Sequence, residues 1–161
     1  MLLLPAFLTS LWLLAPALAT SLTSPAVCPE GWVDAQLDLG CLLFKASLGY
    51  SWDQANNHCN LEGNASLVEI ITPEQHEYII VELQLLADNG KKHDWWTSGT
   101  DVGKQGRWFW VQSLELVEEF VWGDDEPNTP TNNCMFLSAA RHFMAYDRNC
   151  ASEMYPICQI K

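Results

Sequence analysis

Basic residues are what this sequence has least of. Eight Lys and Arg stand against twenty Asp and Glu, a formal charge of −12. Nucleic acid and anionic membrane surfaces are bound by Lys and Arg that neutralise phosphates, so no nucleic acid partner is expected. Beyond residue 19 nothing approaches the ~18 apolar residues of a membrane span. The densest run, Tyr78 to Val81, stops at Glu82, so no membrane span is expected. Sequence patterns of known chemistry are missing too. There is no G-x-S-x-G elbow and no G-x-x-x-x-G-K-[ST] loop, and Asp124-Asp125 lacks the register of an EF-hand. His76-Glu77 begins a zinc-protease helix motif, but the residue four after His76 is Ile80. His58, His93 and His142 share no ligand spacing and read, like His76, as packed or solvated residues. The adjacent Glu118 and Glu119 would face opposite sides of a strand. Without a nucleophile, a base and an orienting group, the chain is not expected to be an enzyme. Internal repeats, linkers and low-complexity segments are absent as well.

What is present begins with an uncharged block, Leu2 to Ala19, ending Ala17-Leu18-Ala19. It reads as a secretory signal peptide, residues 1–19, cut after Ala19. No Lys or Arg precedes it, and a signal anchor is the alternative. Residues 20–161 match one ordinary domain, expected to be secreted and extracellular. All six cysteines lie in that part. An even count in an exported chain argues for three disulfides, and without a C-x-x-C pair zinc and thiol chemistry recede. Arithmetic alone leaves the pairing open.

From Cys28 to Lys45 a Cys-Pro-Glu-Gly-Trp stretch, a polar turn and Gly40-Cys41-Leu42-Leu43-Phe44 read as a hairpin that Cys28 and Cys41 would tie. Ser51 opens a helix with Trp52, Ala55 and Cys59 on one face. Thr72-Pro73-Glu74-Gln75 starts a second helix, with a capping box and proline at the first helical position. Its apolar face is Ile79, Leu83 and Leu86, and Asn89-Gly90 ends it. Asn64-Ala65-Ser66 is the chain's N-x-[ST] acceptor, so Asn64 is the expected glycosylation site. After Gly90 come short β segments rich in tryptophan: Asp94–Thr97, Arg107–Val111, Glu119–Trp122, Cys134–Leu137, His142–Asp147 and Tyr155–Ile160. Two helices followed by a run of strands is an α+β order. The expected core holds Trp52, Ile79, Leu83, Trp96, Trp110 and Phe136.

The stretch Trp122 to Cys134, Trp-Gly-Asp-Asp-Glu-Pro-Asn-Thr-Pro-Thr-Asn-Asn-Cys, concentrates oxygen-bearing side chains between an aromatic strand and a cysteine. Glu126 and Asn128 flank Pro127, and an X-Pro bond is the one that tolerates the cis form, which would aim both side chains the same way. A carboxylate and an amide oxygen are hard ligands suited to Ca²⁺. Alone, the stretch reads more readily as a surface turn, since Pro, Asn, Asp and Gly are turn residues.

Four features together resemble a C-type lectin-like domain, of the secreted single-domain invertebrate, arthropod-like kind, over Cys28 to Ile160. Cys28-Pro29-Glu30-Gly31-Trp32 with Cys41 looks like the extra amino-terminal disulfide of the family's long form. Trp96-Thr97-Ser98-Gly99-Thr100-Asp101 stands where the usual Trp-Ile-Gly-Leu core strand does. Glu126-Pro127-Asn128 looks like the mannose-type motif, and Asp147 with Cys150 keeps part of Trp-Asn-Asp-x-x-Cys. The resemblance implies two helices packed on antiparallel sheets with a long loop region, and the pairs Cys28–Cys41, Cys59–Cys158 and Cys134–Cys150. It implies a cofactor, Ca²⁺, and a metal and carbohydrate site made by Glu126, Asn128, Asn132 and Asp147. With Asp147 giving side chain and backbone carbonyl, these offer five oxygens. Two sugar hydroxyls bring the total within the 6–8 that calcium collects. The implied ligand is a mannose, glucose or N-acetylglucosamine glycan on a microbial or cell surface, recognised in innate immunity. Weak single contacts imply avidity from a multivalent surface or a homo-oligomer. The sequence departs from the pattern at Asn132, where Glu is usual, and at Ala145-Tyr146, where Trp-Asn is usual. At a secondary calcium position Asp101 stands with Gln105, Thr129 and Asn133 where acids are common. These departures keep a second class open, a calcium-independent domain that binds a protein partner.

Overall fold

The structure, a computed structural model, describes residues 28–161. The leader expected over residues 1–19 therefore lies outside the described residues. The expected hairpin forms as β1 (Val33–Ala35) and β2 (Gly40–Phe44), antiparallel and tied by the Cys28–Cys41 disulfide. Gly40 is required by close approach, because a Cβ there would stand 2.1 Å from the Ile160 carbonyl oxygen.

Helix α1 (Trp52–Leu61) starts at Ser51, whose hydroxyl accepts the Gln54 N–H while the Gln54 carboxamide accepts the Ser51 N–H. The same reciprocal cap opens α2 (Pro73–Asp88), between Thr72 and Gln75. Gln75 does more than cap. Its Nε2 donates to the Leu37 carbonyl at 2.8 Å and so fastens the tip of the first hairpin to the start of α2.

Between and after the helices lie β3 (Ser66–Leu67), β4 (Trp95–Thr100), β5 (Phe109–Trp110), β6 (Cys134–Leu137), β7 (Ala145–Arg148) and β8 (Tyr155–Ile160). The strands run β1-β2-β8-β4-β6-β7, with β3 on β8 and β5 on β4. All pairs are antiparallel except β4 with β8. All six residues of β4 are buried. Successive side chains of a strand face opposite ways, and here each face meets its own helix. Trp95, Met135 and Leu137 join Ile79 and Leu83 of α2, whereas Trp96, Cys134 and Phe136 join Trp52, Ala55 and Cys59 of α1. The six expected core residues are all buried. Two indole N–H groups are satisfied across this packing, Trp52 donating to the Thr97 carbonyl and Trp96 to that of Tyr50, both at 2.8 Å, whereas the buried N–H of Trp95 has no such acceptor.

The two remaining disulfides pair as the resemblance implies, Cys59–Cys158 and Cys134–Cys150. The first joins α1 to β8 across 99 residues, a closure for which chain entropy gives about 4.7 kcal/mol.

Two strand expectations need correction. Glu119–Trp122 is not a strand: Glu119–Val121 forms a 3-10 turn. Glu118 and Glu119 are exposed and Val121 is the segment's buried side chain, so there is one anchor and no alternating face to pair. The strand expected from His142 starts at Ala145, because His142 and Phe143 take left-handed backbone angles, φ 55° and 58°.

Buried His76, on α2, donates Nε2–H to the Phe143 carbonyl at 3.2 Å and faces the Phe120 ring. Burial lowers its pKa. The unfolded chain therefore takes up a proton first, and stability falls as pH drops through the ordinary histidine value near 6.5. The expected outcome is a fall in melting temperature from pH 7 to pH 5 that shrinks in His76→Gln, measured by thermal denaturation at each pH.

Candidate functional site

The strand ends place the site. At one end of the sheet β4 runs out at Thr100, β6 begins at Cys134 opposite Thr100, and β7 ends at Arg148 opposite Cys134. The polar residues just beyond or beside these ends, Asp101, Asn132, Asn133 and Asp147, are thereby gathered, and the Cys134–Cys150 disulfide links the two flanking arms.

Residues 126–132 close over this end. The Glu126–Pro127 peptide bond is cis. The Asp147 carboxylate, 7% exposed, collects the segment: Oδ2 accepts the N–H of Asn128 at 2.9 Å and of Thr129 at 2.7 Å, and Oδ1 accepts Asn132 Nδ2 at 3.0 Å. Glu126 completes a ring, accepting Asn128 Nδ2 on Oε1 at 2.7 Å and the Asp147 N–H on Oε2 at 3.3 Å. The four expected residues are thus joined by direct hydrogen bonds. They do not all face the same space. Asn128, Asn132 and Asp147 line an open depression of about 210 Å³, together with Asp101, Gln105, Gly106, Trp108, Pro127, Thr129 and Pro130. Glu126 is not among the lining residues and is joined to them through Asn128 and Asp147.

Burial raises the Glu126 carboxyl above the usual range, and the charge of Asp147 adds to the rise. The hydrogen bonds it accepts pull the other way without cancelling it. Two mutually repelling carboxylates and two amides that can turn an oxygen inward form a hard donor set of the kind calcium takes. The residues present fit that ion, with two negative charges. Among the described residues no group of three or more acidic, histidine or cysteine side chains forms a metal cluster.

Tyr146 stands where Asn is usual in the family pattern. Its ring is seated on Gly123, where an added Cβ would meet it at 2.6 Å, and lies 6.2 Å from the Phe136 ring. Tyr146 is a packing residue that seats Gly123, three residues before Glu126. The secondary position is also settled by contacts. Asp101, 1% exposed, accepts Asn133 Nδ2 at 2.6 Å, the Gly106 N–H at 2.7 Å and Gln105 Nε2 at 3.2 Å. Neutral donors occupy that carboxylate, and a cation there would have to displace them. Trp108 was missed as a site residue. The alternation around Trp108 and Trp110 read only as strand, yet Trp108 forms part of the wall and meets Trp122 edge to face at 4.9 Å.

Residues 48–160 match the family described as lectin C-type domain. The C-type lectin domain family 4 member M of Gorilla gorilla gorilla is 27% identical over 135 residues, 82% of this chain and 33% of the relative. C-type lectin 37Da of Drosophila melanogaster is 29% identical over 101 residues, 56% of this chain and 54% of that protein. The chain thus spans about a third to a half of the length of these relatives. Human lithostathine superposes with a TM-score of 0.71 at 23% identity, covering 86% of this chain and 93% of that one. The lectin domain of murine dendritic cell inhibitory receptor 2, solved in complex with N-glycan, gives 0.69 at 21% identity, covering 84% and 99%. A calcium-independent type II antifreeze protein gives 0.68 at 25% identity, covering 83% and 94%.

Because Tyr146 packs, Tyr146→Asn is expected to lower the melting temperature whatever it adds to the site. Asn132→Glu leaves that packing alone and adds a third carboxylate. It is expected to tighten calcium binding, read by calcium titration of tryptophan fluorescence. Calcium binding by the parent is expected to weaken as pH falls through the raised Glu126 value, at a higher pH than an ordinary glutamate near 4.5 sets. The same titration repeated from pH 7 downwards measures the shift, and Glu126→Gln is expected to abolish binding at pH 7.

Proposed function

The chain belongs to the C-type lectin domain family, and from that membership we propose that it is a calcium-dependent, carbohydrate-binding lectin of the mannose, glucose or N-acetylglucosamine type. The observation that carries the reading is the hydrogen-bonded ring of Glu126, Asn128, Asn132 and Asp147 beside an open depression. Calcium held by these residues would supply the charge that orients two neighbouring sugar hydroxyls. The protein's own groups do the rest: carboxylate oxygens accept from the hydroxyls, and the Asn128 and Asn132 amides donate to them. Lectin domains of this family and fold are generally non-enzymatic, and we assign this chain a binding role and no reaction.

In this reading residues 1–19 direct export, residues 20–161 act as one extracellular domain, and Asn64 carries a glycan. Asn64 lies in the exposed turn after α1, with φ 61°, where a glycan has room. Among the described residues no helix is long and apolar enough to cross a membrane. A single net hydrogen bond contributes only about 0.5–1.5 kcal/mol, so useful binding rests on several sites together, on a microbial or cell surface or through a homo-oligomer.

A calcium-independent domain that binds a protein partner is the second reading. What favours it is Asp101, whose carboxylate is already occupied by neutral donors, in a fold that a calcium-independent antifreeze protein shares.

Retention on immobilised mannan, elution by chelator, and loss of retention in Glu126→Ala are the expected outcomes. Binding of Glu126→Ala that stays chelator-sensitive would sink the site assignment, and a parent that is not retained on mannan in calcium turns the reading to the second class. Intact mass after expression in a eukaryotic host is expected to show residues 1–19 removed and a glycan lost in Asn64→Gln.

A further inference from the structure

We propose that Gln105, which lines the depression together with Asn128 and Asn132, is an additional ligand-contacting residue whose orientation is fixed by buried Asp101. The inference rests on the reading that a saccharide occupies this depression.

The orientation follows from donor chemistry. A carboxylate only accepts hydrogen bonds, whereas a carboxamide carries both donors and an acceptor. At ordinary resolution the two ends of an amide are told apart only by their partners. Here the partner decides. Asp101 lies at the end of β4, 1% exposed, and the Gln105 group facing its Oδ2 at 3.2 Å must be the NH₂. The carbonyl oxygen Oε1 is thereby left over on a residue that lines the depression beside Gly106.

The backbone secures the same arrangement. The Gly106 N–H donates to the same carboxylate oxygen at 2.7 Å, and the Lys104 N–H donates to the Asp101 carbonyl at 2.9 Å. Arg107 N–H closes the turn onto the Lys104 carbonyl at 2.8 Å. Asp101 thus fastens main chain and side chain of residue 105 and its neighbours at once. Asn133 Nδ2 takes the other oxygen at 2.6 Å, so the carboxylate has no neighbour that would pull Gln105 over.

The consequence is a polar contact of defined sign. Asn128 and Asn132 offer amides that donate, Gln105 offers an acceptor, and Trp108, Pro127 and Pro130 add apolar lining. A saccharide in the depression gives a hydroxyl hydrogen to Gln105. Asp101 is a positioning residue for that contact.

Calorimetric titration of the full chain with mannotriose, in calcium, tests this with five variants. Glu126→Ala sets the baseline. If it binds as the parent does, the reading of the depression fails and the inference with it. If it loses binding, Gln105→Leu is expected to weaken mannotriose by about two- to tenfold, the worth of one hydrogen bond, with an unchanged melting temperature. Parent-like affinity in Gln105→Leu overturns the inference while leaving the reading intact. Gln105→Glu, which faces one carboxylate with another, is expected to weaken binding to the same extent, as is Asp101→Ala, which removes the acceptor that fixes the Gln105 amide. In the double variant Asp101→Ala with Gln105→Leu the loss is expected to be no larger than in Gln105→Leu alone, because Asp101 acts through Gln105. A loss in the double variant that is the sum of the two single losses overturns the positioning role of Asp101.

Discussion

The loop region is built around one buried carboxylate. Residues 126–132 are turn formers with no ladder of their own, so their N–H groups need acceptors from elsewhere. Asp147 in turn is buried and needs donors, because an uncompensated charge away from water is costly. Each side supplies what the other lacks: two backbone N–H groups and the Asn132 amide converge on Asp147. The arrangement depends on register. A slip of β7 by one residue would offer Tyr146 or Arg148 in place of Asp147. Pairing of all four β7 residues with β6, and the Cys134–Cys150 bond beside it, hold that register.

The rest of the fold makes this end of the sheet stiff. β4 is buried on both faces, and its alternate side chains enter two separate clusters, each closed by one helix. Displacing β4 would disturb both clusters at once, and with them Asp101 at its end. Glu69 serves the neighbouring hairpin in the same manner. Its buried carboxylate accepts the N–H groups of Gln112 and Ser113 at 2.9 and 2.8 Å and pairs with Lys161 at 2.6 Å. Acidic side chains in this protein are therefore partly structural, each gathering loop N–H groups that no strand satisfies.

Where the sequence was legible, a local rule sufficed. Both helices carry capping boxes whose residues are three apart, so Ser51–Gln54 and Thr72–Gln75 could be read directly. The faces of Ala55 and Cys59, or Ile79 and Leu83, follow from helical spacing. Glu126, Asn128, Asn132 and Asp147 were legible through a family resemblance, and the fold brings them into direct contact. Other features depend on distant partners. Glu119–Val121 coils because no neighbouring edge pairs with it. Tyr146 looked like a damaged ligand because its seat, Gly123, lies 23 residues earlier in the chain. The acceptors and donors around Asp101 come from positions 105, 106 and 133, a grouping that appears only once β4 and β6 are paired. The parallel contact of β4 with β8 has no signature in either strand.

The two carboxylates of the site do different work, and this bears on how so acidic a chain uses its charge. Most of the net −12 acts at a distance and is screened beyond about 8 Å at physiological salt. Local placement therefore decides what a cation finds. Asp147 spends three of its roughly four lone-pair directions on the loop and keeps the loop's shape. Glu126 accepts one short bond, from a side-chain amide that can swing away, and one longer one. Its carboxyl is pushed upward by burial and by its neighbour's charge, a penalty that a cation would offset in the proposed reading. Separating the roles explains how the loop can be shaped by hydrogen bonds alone while still presenting a site whose charge is unrelieved. In the proposed calcium reading the frame stands without the ion, and the repulsion between Glu126 and Asp147 is what a bound cation would relieve.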